Sequence, residues 1–346
     1  MKRILFCIFI LFIIAVPVKA ESVEIPEPSG EAQKYMPEEP QNFGEGLLYV
    51  FSKALVSLAP ALKNATVICS GILSISLMSA ILRNFTDEAK SVVDLGATVI
   101  LGLLLLSPAN ALIQLGISVV KELSEYGKLF MPAMATALAA QGGIGSSAAL
   151  YAATIAFTTI LTTAVSNLIV PLIYIYLCVS IASAAVNEEM LKKIKAFIKW
   201  LISWSLKILL YVYLAYISIT GVISGTADAT AVKAVKLSIS AAVPVVGGIL
   251  SDASETILVG AASVKNAAGI YGVFAMLSIW IGPFLKIAAQ FVVLKLTGAI
   301  CGVFGSDRVI DLTKDFSTAM GLVLAMTGTQ CLLLIVSTVC FMRGVT

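Results

Sequence analysis

The residues with most to offer chemically are charges inside apolar stretches. Lys295 lies in the middle of the apolar segment 284–304. A lysine or aspartate at mid-helix costs roughly 2.5–3.5 kcal/mol on insertion scales, so such a residue faces protein, a headgroup or water. Lys286 sits near the start of the same segment, where its stem can snorkel. Lys286, Gln290 and Thr297 are spaced 4 and 7 apart and form one polar helical stripe, with Lys295 on the opposite face. Gly298 and Gly302 make a GxxxG beside Lys295, a pattern suited to close helix contact. Lys207 opens another apolar run, and Asp94 lies near the end of a third. Asp252 and Glu255 are i, i+3 neighbours on a helix, able to pair with Lys295 or Lys207 or to face water. These residues line a polar path or subunit contact, or they only snorkel and glue a bundle.

Other chemistries are excluded by residue type. Histidine is absent, which removes His general acid–base pairs and HExxH zinc sites. An aspartyl protease of the membrane would need Asp94 and Asp252. Their settings, Val-Val-Asp-Leu-Gly and Leu-Ser-Asp-Ala-Ser, lack the Tyr-Asp and Gly-x-Gly-Asp of such enzymes. Gly143-x-Gly145-x-x-Ala148 matches a dinucleotide fingerprint by letters alone, with no strand before it. There is no GxxxxGK[ST], so any use of ATP belongs to a partner. Five cysteines outside the N-terminal leader, Cys69, Cys178, Cys301, Cys331 and Cys340, sit singly in apolar runs and read as small membrane hydrophobes. No catalytic residue, metal or cofactor is expected.

The elements that must hold these residues follow from composition. Of 346 residues, 59% are hydrophobic and only 12% charged, and the mean hydropathy is +0.99. Soluble domains carry about 25% charged residues. Lipid must be the solvent for much of this chain, which rules out a water-soluble enzyme or nucleic-acid binder. The expected fold is all-α and polytopic, with about seven crossings plus amphipathic or re-entrant segments.

Leu47–Lys63 reads as an interfacial helix. Spans are expected at Thr66–Leu82 and at Val92–Leu106, the second ending there or continuing past Pro108. Ile117–Phe130 carries Lys121, Glu122, Glu125 and Lys128 and is expected not to span; a glycine-rich break follows at 141–147. Ala148–Val186 runs 39 residues without a charge, with Asn167 and Pro171 near its centre. It is either two spans with a tight turn there or one long, kinked or partly re-entrant element. Further spans are expected at Leu206–Gly225, Ala267–Pro283, Phe284–Phe304 and Thr318–Phe341, with a short hairpin around 243–255 and a polar turn through 306–315.

Three parts are expected along the chain. Residues 1–20 have the layout of a cleavable secretory signal: Lys2 and Arg3, an apolar run from Ile4 to Val16, then Val18-Lys19-Ala20. The run is short of the roughly 20 residues of a spanning helix, although an uncleaved anchor is the alternative. Residues 21–45 hold seven glutamates against Lys34 alone, with four prolines. They form an extended acidic arm, a solvated spacer or a docking segment, outside the cytoplasm if the signal is cut. Residues 46–346 are the membrane domain. Lys192, Lys193, Lys195 and Lys199 place 187–199 in the cytoplasm, which, from an outside N-terminus, favours an odd number of crossings before Asn187.

One stretch is family-specific. Ala242-Val-Pro-Val-Val-Gly-Gly-Ile-Leu-Ser-Asp-Ala-Ser-Glu255, Val264-Lys-Asn-Ala-Ala-Gly-Ile-Tyr-Gly272, Pro283-Phe-Leu-Lys-Ile287 and Ser306-Asp-Arg-Val-Ile-Asp311 resemble the stage III sporulation protein AE family. The resemblance implies a non-enzymatic membrane component of a channel apparatus between mother cell and forespore, in the mother-cell membrane around the forespore. Implied partners are membrane and ring-forming proteins of the same operon, including a secretion-type ATPase, besides the lipid bilayer; no nucleic acid is implied. A self-sufficient secondary transporter, with Asp94, Lys207 and Lys295 as a buried coupling site, is the competing expectation.

Overall fold

The computed structural model describes residues 26–28, 30–37, 43–83, 90–186, 188–242, 247–303 and 306–343, with side chains described except in 220–264. The described residues form seven α-helices: α1 (Phe43–Leu82), α2 (Lys90–Ala140), α3 (Ile144–Ala164), α4 (Val170–Val186), α5 (Glu189–Ala242), α6 (Gly247–Cys301) and α7 (Asp307–Arg343). A π-turn, Val165–Ile169, joins α3 to α4, and a 3-10 turn, Gly30–Tyr35, precedes α1. There is no strand among the described residues, so the all-α expectation holds.

Six helical segments are long and apolar enough to cross a bilayer: Phe43–Leu82, Lys90–Ala140, Ile144–Val186, Glu189–Ile219, Lys265–Cys301 and Asp307–Arg343. Pro283 does not divide 267–304, so the two spans expected there are one helix. The proline sits inside α6, beside the ring contact of Trp280 with Phe284 at 4.1 Å. A proline inside a membrane helix is tolerated where neighbours cover the freed carbonyl.

Pro60 likewise lies within α1, so the segment expected at the interface and the first span are one helix. The segment 117–130 is not peripheral either. It continues α2, where Val119, Val120, Leu123 and Phe130 are fully or almost fully buried.

The uncharged stretch 148–186 is one continuous path, not two spans. Pro171 has no N–H for the carbonyl of Asn167, and its ring would press on that carbonyl. The five-residue π-turn widens the ladder at this point, and the Val170 N–H bonds instead to the Val165 carbonyl. Helix α2 ends in a Schellman turn. Gly143 N–H donates to Leu138 O at 3.2 Å and Gly142 N–H to Ala139 O at 2.9 Å. Gly142 takes φ 92°, which only glycine adopts readily. The expected hairpin at 243–255 is replaced by helix from Gly247 onward; residues 243–246 lie outside the described residues.

The core forms around α7, the most enclosed span. Helices α2 and α7 run parallel, with Gly116 against Val323 and Gly127 against Leu334. Helix α6 runs antiparallel to α7, with the Ser317 hydroxyl donating to Phe291 O and Thr338 contacting Met276. The Gly30–Tyr35 turn packs on α6: Ala32 is buried and Tyr35 covers Gly282. Part of the acidic arm is therefore docked, because Ala32, Tyr35 and Met36 supply an apolar face that folds only against the bundle.

The turns after α1, α4 and α6 fall at one end, here the charged end. No charged residue lies between Asp315 and Arg343. Lys314 to Arg343 covers about 43 Å of helix at ~1.5 Å per residue. That matches the ~40–45 Å of a bilayer with its headgroups.

Candidate functional site

The charged end holds a polar cavity of about 480 Å³, lined from five helix ends. Arg83 just after α1, Lys192 and Lys195 of α5 and Arg308 of α7 supply cations; Asp94 of α2 and Asp307 and Asp311 of α7 supply anions. Helix starts and ends converge here because each connection on this side is only a few residues long.

Asp315, two turns into α7, anchors the site. Its carboxylate accepts from Lys195 Nζ at 2.6 Å and from the Tyr176 hydroxyl at 3.1 Å, so one side chain joins α4, α5 and α7. The Lys195 and Asp315 side chains are only 18% and 12% exposed. A buried charge of this kind persists only when paired and hydrogen-bonded. Arg308 Nη1 donates to Ala185 O at 3.1 Å, covering a carbonyl left open by the end of α4. Ser306 caps α7, accepting from the Val309 N–H at 3.4 Å, with Asp307 in the first turn. The expected polar turn through 315 is thus the start of a helix.

Asp94 is buried and faces Arg83 Nε at 3.7 Å, an ion pair between α1 and α2 without a hydrogen bond at Oδ1. It does not meet Lys295 or Lys207. Lys207 is exposed on the outer face of α5, and Lys295 is exposed near the end of α6. Lys295 is six residues from Cys301, about 9 Å from the end of α6 at the charged end of the bundle. Lys286 lies nine residues further into α6, half-buried and paired with Glu31 at 3.6 Å.

The predicted stripe is only partly one surface. Gln290 and Thr297 are buried, and the Thr297 hydroxyl lies 2.9 Å from Cys69 Sγ of α1. Gly298 is no tight contact: a Cβ there would stand 3.7 Å from Lys314 Cγ. Gly302 follows the end of α6, and a Cβ there would first meet the backbone of that helix end, Ala299 O at 3.0 Å. Close approaches lie elsewhere: a Cβ would fall 2.5 Å from Val323 at Gly116 and 2.7 Å from Leu334 at Gly127, and 2.1 Å from Phe130 at Gly272. The side chains of Asp252 and Glu255 lie outside the described residues. No group of three potential metal-ligating residues occurs among the described residues.

Sequence reading missed Asp315 and Lys195 as a pair, since 120 residues separate them. The available signal was Ser306-Asp307: read as a cap, it starts α7 early and puts Asp315 inside a span.

The chain is 22% identical over 211 residues to the stage III sporulation protein AE of Bacillus subtilis (strain 168), covering 61% of this chain and 53% of that relative. The aligned stretch thus spans about half the length of the relative. No solved structure matches the chain. The family model for stage III sporulation protein AE matches residues 39–344, nearly the whole membrane domain, and so this multi-pass membrane protein belongs to the stage III sporulation protein AE family.

Proposed function

We propose that this sporulation protein is a non-catalytic, multi-pass component of a channel or secretion-like complex between mother cell and forespore. It would lie in the mother-cell membrane around the forespore and assemble with ring-forming proteins of its operon and a secretion-type ATPase. The observation that carries this reading is how the charges are used. Asp94, Lys207 and Lys295, the charges a solute-coupling site would have to gather, stand apart, whereas Asp315, Lys195, Tyr176 and Arg308 clasp helix ends. Such a body suits an assembly part better than a machine that binds and releases a solute at mid-membrane. Three candidate spans among the described residues precede Asn187, so an outside N-terminus would put the charged end in the cytoplasm, where an ATPase would dock.

The test is recovery of the tagged full chain from sporulating cells, and reconstitution of the purified chain alone. Recovery with the operon proteins, and no solute flux alone, is the expected result. Gradient-dependent uptake of a small solute by the chain alone would establish the transporter reading instead.

A further inference from the structure

We propose that a groove between α5, α6 and α7 at the charged end binds the phosphate of an anionic phospholipid. The groove encloses about 380 Å³ and brings together Lys199 of α5, Lys295 of α6 and Lys314 of α7 above an apolar wall of Phe291 and Leu322. All three lysines are exposed, and none forms an ion pair among the described residues. Of the acids at this end, Asp94 and Asp315 are engaged with Arg83 and Lys195, and Asp307 and Asp311 line the separate polar cavity. Three like charges on three helices repel one another, and an anion placed among them offsets that repulsion.

Depth identifies the anion as a lipid. The contact of Ser317 with Phe291 O sets Lys295 level with Lys314, the first of the charges bracketing the span of α7. Beside Lys199, Trp200 and Trp204 stack at 5.8 Å on the outer face of α5 and are about half exposed. Tryptophan gathers at the headgroup level. The Lys295 ammonium stands 5.7 Å from the centre of the Phe291 ring, so cation and apolar wall are adjacent. A phosphate would sit among the ammoniums, and its acyl chain would run along Phe291 and Leu322. A free inorganic phosphate would use the cations and leave the wall idle. Basic pockets between membrane helices on the cytoplasmic side bind anionic headgroups in this manner.

The experiment uses the full chain in nanodiscs of phosphatidylcholine, with or without phosphatidylglycerol. After mild delipidation, lipid retained per chain is measured by mass spectrometry. Wild type should retain phosphatidylglycerol over phosphatidylcholine. Lys199→Gln, Lys295→Gln and Lys314→Gln should each weaken that preference about fivefold, and Lys193→Gln, an exposed α5 lysine outside the groove, should leave it unchanged. Each single variant is read alone, and Lys→Arg at the same positions should keep binding, so the result does not hang on recovery of a triple variant. Equal retention by wild type and the three Gln variants, or no headgroup preference, overturns the proposal. Displacement by inorganic phosphate beyond that by chloride at equal ionic strength would mark a free-anion site and overturn it too.

Discussion

The Lys195 ammonium lies 2.6 Å from the Asp315 carboxylate, between helices whose sequences are 120 residues apart. Asp315 is also held by Tyr176 at 3.1 Å. Removing the lysine leaves a buried carboxylate with one neutral donor, and removing the acid leaves an ammonium with none. Lys195→Met and Asp315→Ala should each destabilise the protein by on the order of 3 kcal/mol. Tyr176→Phe should cost only about 1 kcal/mol, the size of one neutral hydrogen bond. Unfolding of the detergent-solubilised chain measures all three. If Asp315→Ala unfolds like wild type, the clasp contributes nothing. The double variant Lys195→Met/Asp315→Leu should recover part of the loss, because apolar replacement of both partners leaves no unpaired charge.

Packing of α2 on α7 rests on two glycines. Gly116 and Gly127 are eleven residues apart, three turns along one helix face, and both lie under α7 side chains. A valine at either site must push Val323 and Met326, or Leu334, out of place. Gly116→Val and Gly127→Val should lower stability by about 1–3 kcal/mol each. Gly298→Ala, meeting its neighbours no closer than 3.7 Å, should be close to neutral. Loss of membrane-inserted protein on pulse-chase would follow the first two and not the third.

Those glycines show where sequence reading stops. GxxxG at 298–302 is conspicuous on paper, yet the pattern records spacing, not which face meets a neighbour. The apolar composition made a helical membrane body plain, and Gly142 marked a real turn. Proline was the poorer guide. Pro171 was absorbed by a π-turn and Pro283 by an unbroken helix, because in lipid a freed carbonyl can be covered by neighbouring helices. The same break bears on two lysines: a span at 284–304 has Lys295 at its middle and Lys286 at its edge, whereas the unbroken α6 puts Lys295 nearer its end than Lys286. Asp94 was correctly set near a helix end, but its partner Arg83 was hidden, since pairing across a turn depends on how α1 and α2 pack.

Orientation is open to a direct test. If each of the three candidate spans among the described residues before 187 crosses once, the lysine-rich start of α5 and the Gln141–Gly143 turn fall on opposite sides of the membrane. In a cysteine-free background, Lys193→Cys should resist an impermeant thiol reagent in intact cells, and Ala140→Cys should react. Both positions are exposed in the structure, so a failure to react reports the membrane and not burial. Labelling of Lys193→Cys alone would invert the topology; labelling of both would remove a crossing.

The docked piece of the acidic arm makes the last case. Glu31 meets Lys286 at 3.6 Å, but the two side chains are 74% and 41% exposed, and an exposed pair of this kind contributes little. Tyr35 and Ala32 instead hold the turn by apolar contact, Tyr35 lying over Gly282 where any side chain would collide with its ring. Glu31→Gln should therefore leave hydrogen exchange of residues 30–36 nearly unchanged. Tyr35→Ala and Gly282→Leu, made separately, should both speed it, the first by removing the anchor and the second by filling its seat. The two substitutions lie 247 residues apart in the sequence, so matching effects would report one shared contact. Faster exchange in Glu31→Gln with no change in Tyr35→Ala would mean that charge, not packing, keeps the arm on α6.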